Sequence, residues 1–113
     1  MKSAEGKYTT IHYQKYLKLE QLLGAQDLRS VQLGEPAHEE MLFIIVHQVY
    51  ELWFKQIIHE LESVIEFFAD NEVIESSLSV AIGRLNRVEV ILKLLIEQIG
   101  VMETMTPLDF LDF

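Results

Sequence analysis

His47 stands out among the four histidines of this 113-residue sequence. At about 100° per residue it shares a helix face with Phe43, Tyr50, Glu51, Phe54 and Ile58. An imidazole can accept, hold or release a proton near neutrality, so an imidazole among aromatic rings could orient a substrate or exchange a proton with it. Two readings stay open, a satisfied core histidine and a pocket residue, and spacing alone favours the first. His12 falls on a short first helix, His38 at a helix start and His59 on a charged side, all positions for solvated or capping groups. His59-Glu-Leu-Glu-Ser63 lacks the second histidine of the zinc motif His-Glu-x-x-His. The one Glu-x-x-His run, Glu35 to His38, straddles Pro36 instead of lying on a helix as di-iron bundles require. No metal site built from these side chains is therefore expected. Gly-rich phosphate loops and thiol nucleophiles are absent, and nothing supports a serine triad. Tyr13, Tyr16 and Leu17 make an i, i+3, i+4 patch whose rings can be buried while the hydroxyls stay wet. Such a patch suits a protein contact or pocket rim, or ordinary packing.

Helices must position these groups, because apolar residues recur at helical spacing and no stretch alternates with the strand period. A short helix is predicted over Thr10 to Leu23, ended by Gly24. Residues 24–37 read as a connecting loop, of a length that is often functional or tied down by neighbours. A long helix is predicted from near Pro36–His38 to about Ala69. Apolar residues surround its first half. The second half carries the stripe Phe54, Ile57, Ile58, Leu61, Val64, Ile65 and Phe68, with Glu60, Glu62, Ser63 and Glu66 on the wet side. A second long helix is predicted from about Glu72 to Met102, its heptad seam running through Ile74, Leu78, Ala81, Leu85, Val88, Leu92, Leu95, Ile99 and Met102. The short link between them implies an antiparallel hairpin about 45 Å long. Thr106, Pro107 and Asp109 then have the pattern of another helix start.

Composition sets the class. Half the residues are apolar, 24% are charged, and five Gly with two Pro leave little for loops. The formal charge of −9 argues against nucleic acid and anionic membrane surfaces as partners. The longest unbroken apolar run, Met41 to Val46, is far short of the roughly 20 residues that span a bilayer. The opening residues lack the apolar core of a signal peptide, and the absence of cysteine suits a reducing compartment. A soluble, cytoplasmic, all-α chain is expected. A bare hairpin cannot cover the apolar residues on both sides of both helices, so residues 1–113 read as a single incomplete helical domain, interrupted at Phe-Leu-Asp-Phe113.

Several blocks together resemble the tryptophan 2,3-dioxygenase family. They are Tyr13-x-x-Tyr16-Leu17-x-Leu19-x-x-Leu22-Leu23, His38-Glu-Glu-Met-Leu-Phe-Ile-Ile-Val-His47-Gln, Glu51-Leu-Trp-Phe-Lys55, His59-Glu-Leu61 and Glu103-Thr-Met-Thr-Pro-Leu-Asp-Phe-Leu-Asp-Phe113. The likeness covers the chain beyond its first few residues and raises His47 to an active-site candidate. It implies part of a larger helical haem-enzyme fold, usually a homotetramer, that converts L-tryptophan and O2 to N-formylkynurenine. It implies that Phe43 and His47 line the distal side of the haem and that His47 hydrogen-bonds the indole N–H as the catalytic-site residue. Phe110 would pack near the substrate, while Tyr13, Tyr16 and Leu17 would serve a neighbouring subunit's pocket. The sequence departs from the family at Glu39, a small acidic exchange. The family's carboxylate-binding arginine would follow Phe113, and none of the four histidines occupies the place of the haem's proximal ligand. The expectation is therefore a piece that is inactive by itself. Two alternatives remain: a non-catalytic helical oligomerisation module, and a related haem enzyme acting on another indole.

Overall fold

The computed structural model describes residues 10–69 and 75–106. Among the described residues five helices follow in order: α1 Thr10–Leu17, α2 Leu19–Leu23, α3 Arg29–Gln32, α4 Glu39–Ala69 and α5 Glu75–Met102. Among the described residues there is no strand, as the helical periodicity requires. The start predicted at Thr106–Pro107 and the substrate candidate Phe110 lead into or lie within segments outside the described residues, as does Ile74.

The helix predicted over Thr10 to Leu23 is divided. Lys18 adopts the left-handed conformation, φ 54° and ψ 43°, between α1 and α2. Its N–H donates to the Lys15 carbonyl at 3.1 Å while its own carbonyl accepts from Leu22 N–H at 2.9 Å, so one residue closes one helix and opens the next. The loop predicted over 24–37 contains α3, which ends in a Schellman closure. There Glu35 N–H reaches Ser30 O at 2.9 Å and Gly34 N–H reaches Val31 O at 3.0 Å, with Gly34 at φ +83°.

The two long helices pack antiparallel. Tyr50 on α4 donates its hydroxyl to the Leu95 carbonyl on α5 at 2.7 Å, Glu60 pairs with Arg87, and the Arg84 guanidinium lies 5.2 Å from the Phe67 ring centroid. As numbers rise along α4 their partners fall along α5. Ile57, Val88, Ile91 and Leu95 form the buried core, flanked by Tyr50 and Trp53. Val64 and Ala81 are buried as well.

The contact faces differ from the predicted stripes. On α5 the covered or half-covered positions are Ser77, Ala81, Arg84, Val88, Ile91, Leu94, Leu95, Gln98 and Met102. Leu78, Leu85, Leu92 and Ile99 of the predicted seam are exposed. Both patterns share Ala81, Val88, Leu95 and Met102, but the real seam takes i+3 neighbours where the apolar count favours i+4, turning the face by about 50°. Arg84 and Arg87 explain the choice, because both meet partners on α4. On α4 the same rotation selects Tyr50, Trp53, Ile57, Glu60 and Val64, leaving Phe54, Ile58, Leu61, Ile65 and Phe68 exposed. Glu60, expected on the wet side, is only 3% exposed. It accepts hydrogen bonds from Arg87 at 3.0 Å and Gln56 at 2.7 Å.

Two apolar faces therefore remain open. The surface of 9229 Å² exceeds the roughly 6,400 Å² of a compact 13.2 kDa protein. The radius of gyration, 19.8 Å, exceeds the compact value of about 13 Å. By length and composition α4 is the one described helix that could cross a membrane, at mean hydropathy 1.2. Against that reading, it lies lengthwise on α5 and buries an ionised carboxylate in the contact.

Candidate functional site

His47 sits in the third turn of α4, and its backbone is helical on both sides because this stretch lacks Gly and Pro. Its Nδ1 lies 2.7 Å from the carbonyl oxygen of Phe43, one turn earlier. A carbonyl can only accept, so Nδ1 carries the hydrogen and Nε2 of the neutral ring is left as an acceptor. The Phe43 and His47 rings pack 4.4 Å apart between centroids, tilted by 42°. Phe43 thus fixes both the tautomer, through its carbonyl, and the ring's neighbour, through its phenyl group. The arrangement suits accepting a hydrogen bond from an N–H or O–H donor brought to the exposed side of α4.

His47 is exposed and lines an open cleft of about 550 Å³ with Leu22, Ala25, Gln48, Glu51, Leu52 and Lys55. Within these residues it does not look into a dry cavity. Phe43 is half-buried and lines the neighbouring cleft, of about 540 Å³, with Leu33, Ile44, Asp27, Arg29, Ser30, Glu35 and Glu40. Tyr13, Tyr16 and Leu17 are exposed on α1 and do not line the His47 cleft. The structure thus brings Phe43 and His47 together and keeps the tyrosine patch apart from them. Among the described residues no group of three His, Cys, Asp or Glu could hold a metal ion.

Polar residues that periodicity did not single out tie the 25–37 segment to α4. Gln48, next to His47, donates to Ala25 O at 2.8 Å and accepts from Gln26 Nε2 at 2.9 Å. Gln26 also donates to Leu22 O at 3.0 Å, which holds the end of α2 at the rim of the cleft. Two turns earlier, Glu40 is 5% exposed. Its carboxylate accepts from Arg29 N–H at 2.9 Å, from Ser30 N–H at 3.0 Å and from the Ser30 hydroxyl. Ser30 Oγ in turn accepts from Ala37 N–H at 3.0 Å. Glu40 therefore caps α3, whose own N-cap residue, Leu28, contributes no side-chain bond. The Ser30 hydroxyl above all, then the two amides and the Arg29 charge, hold the Glu40 carboxyl below its ordinary range, against the upward push of desolvation. The only hint of this in the sequence is the length of the connection, which calls for something to tie it down.

Comparison with known proteins completes the picture. The family described as Tryptophan 2,3-dioxygenase matches residues 2–113. A tryptophan 2,3-dioxygenase of Bdellovibrio bacteriovorus is 58% identical over 107 residues, 95% of this chain and 30% of that protein. One of Alteromonas mediterranea is 56% identical over 102 residues, 90% of this chain and 28% of its own. One of Dictyostelium discoideum is 49% identical over 110 residues, 97% of this chain and 28% of its own. The chain thus spans less than a third of the length of these relatives.

Proposed function

Because the chain belongs to the tryptophan 2,3-dioxygenase family, we propose that it supplies part of a haem-dependent enzyme that converts L-tryptophan and O2 to N-formylkynurenine. The observation that carries the residue assignment is the bond from His47 Nδ1 to Phe43 O. It leaves Nε2 able to accept from the indole N–H, which is a donor only. The relatives' printed names support the substrate and the reaction class.

Haem fits the flank of α4 that carries Phe43 and His47, where a phenyl ring and a neutral nitrogen acceptor stand on an open face. When bound, haem supplies the activation of O2. Phe43 would pack against the flat macrocycle or the indole. His47 would fix the indole's orientation, so that the reacting atoms meet without searching. His59 lies three turns further along α4, about 18 Å away, and does not share the His47 cleft. As the family resemblance implies, the iron's proximal ligand would come from polypeptide other than these residues, since none of the four histidines matches its position. The open faces of the hairpin and the exposed Tyr13, Tyr16 and Leu17 support a cavity closed by that polypeptide and by a neighbouring subunit of a homotetramer, and Phe110 would join the substrate pocket.

The test is His47→Ala in the full-length protein. Loss of one hydrogen bond, about 1–3 kcal/mol, should lower kcat/KM for tryptophan roughly 5- to 150-fold while the Soret absorption of bound haem persists. Loss of the haem itself would show that His47 does not stand on the distal side. The exposed stripes also favour a second reading, in which residues 1–113 alone act as a helical association module. Haemin titrated into the full-length protein separates the two, since a module without a haem wall gives no Soret shift.

A further inference from the structure

Glu40 and Gln48 bracket Phe43 and His47 on α4; Gln48 holds the start of the 25–37 segment and Glu40 its middle. Glu40 binds the amides of Arg29 and Ser30, and Gln48 binds Ala25 O and Gln26. At and just beyond the Glu40 attachment, Arg29 and Leu33 line the same cleft as Phe43. Phe43 in turn orients His47 through its carbonyl. The Glu40 carboxylate, the segment it binds and the Phe43–His47 pair therefore lie beside one another at one end of α4.

Charge is central to the grip. A carboxylate offers only acceptors, and all three groups it meets here are donors. An amide in its place would turn an N–H2 toward backbone N–H groups, donor against donor. We propose that Glu40 is a positioning residue of the site: its carboxylate clasps residues 29–37 as a fixed wall beside Phe43, and so sets how well tryptophan is held. This rests on the functional reading above. Glu40 is itself nearly enclosed, so its effect is exerted through the segment it binds.

The experiment compares full-length wild type with Glu40→Gln and Ser30→Ala, reading steady-state kinetics, the Soret band and amide hydrogen exchange. In Glu40→Gln the amides of Arg29, Ser30 and Ala37 should exchange at least roughly tenfold faster, as expected when a charge-assisted bond to a buried donor is lost. KM for tryptophan should rise about tenfold, with kcat changed less than about threefold and the Soret band unmoved. Ser30→Ala keeps the charge but removes the hydroxyl, so its KM should rise by a smaller factor. The double variant should be no worse than Glu40→Gln alone, because both changes open one clasp. Faster exchange at Arg29 and Ser30 with KM unchanged overturns the proposal, leaving Glu40 a role in the loop only. If Glu40→Gln fails to fold, Ser30→Ala decides: accelerated exchange at Ala37 without a KM change is equally fatal. A wild type that binds haem but does not turn over tryptophan overturns the functional reading and the positioning role together, while the exchange data still report whether the clasp exists.

Discussion

Glu40 and Glu60 lie on one helix, both are nearly enclosed, and both have a carboxyl held below its ordinary value, yet they grip different things. Glu60 faces the side chains Arg87 and Gln56, inside a seam that apolar packing already holds together. Glu40 faces backbone amides and a hydroxyl, in a region where Ser30 and Ala37 are the only buried neighbours in the segment it holds. At one end of α4 burial leads and the ion pair follows. At the other, hydrogen bonding to the main chain does the organising. The segment beside Phe43 and His47 is therefore shaped by polar contacts. The hairpin that supports it is shaped by volume.

That contrast can be broken from either side. The largest effect is expected from Leu95→Ala, which empties a core position only 6% exposed and should cost about 2–5 kcal/mol by urea denaturation. Exchange of the Arg29 and Ser30 amides, measured under native conditions, should stay slow relative to the weakened hairpin. Uniform acceleration across both regions would show that they form one cooperative unit. Next comes Gly34→Ala, where φ is +83° and a Cβ would meet nothing within 4 Å, so the cost is backbone strain alone. About 1–2 kcal/mol is expected, read as faster exchange within 29–37 with the hairpin amides unaffected. The gentlest probe is acid. Both carboxyls are depressed in the folded chain, so their contribution is complete above the unfolded value of 4.5 and is lost as pH falls through the lower folded values. Denaturation midpoints followed downward from pH 6 should stay level to near 4.5 and then drop. Glu60→Gln should flatten the drop in hairpin stability, and Glu40→Gln should flatten it only for the 29–37 amides.

How much of this the sequence discloses depends on the kind of interaction. The long helices and their antiparallel pairing are legible, because periodicity and an uninterrupted run of helix formers suffice. The bounds come close too, with Ala69 and Met102 as predicted ends and Glu39 at the start. Which of two apolar stripes meets the partner is not legible. Leu85 and Leu92 are as apolar as Ile91 and Leu94, and the cross-helix partners of Arg84 and Arg87 break the tie. Glu60 misleads for the same reason, since a carboxylate reads as wet until its guanidinium partner is known. Phe43 and His47 come out as neighbours from i, i+4 spacing, but the bond that fixes the tautomer is a side-chain-to-backbone contact that no residue pattern encodes. The break between α1, which carries Tyr13, Tyr16 and Leu17, and α2 falls at residue 18, and lysine is not a residue type that advertises a left-handed turn.

Lys18 carries one more consequence. A left-handed residue between two right-handed helices acts as a mitre joint: two torsions at a single position, not a loop, set the compass bearing of the tyrosine pair. Glycine there would remove the steric restraint and let the arm swing, whereas the lysine side chain narrows the angles it can hold. The aim of that arm is built in locally, before anything arrives to receive it.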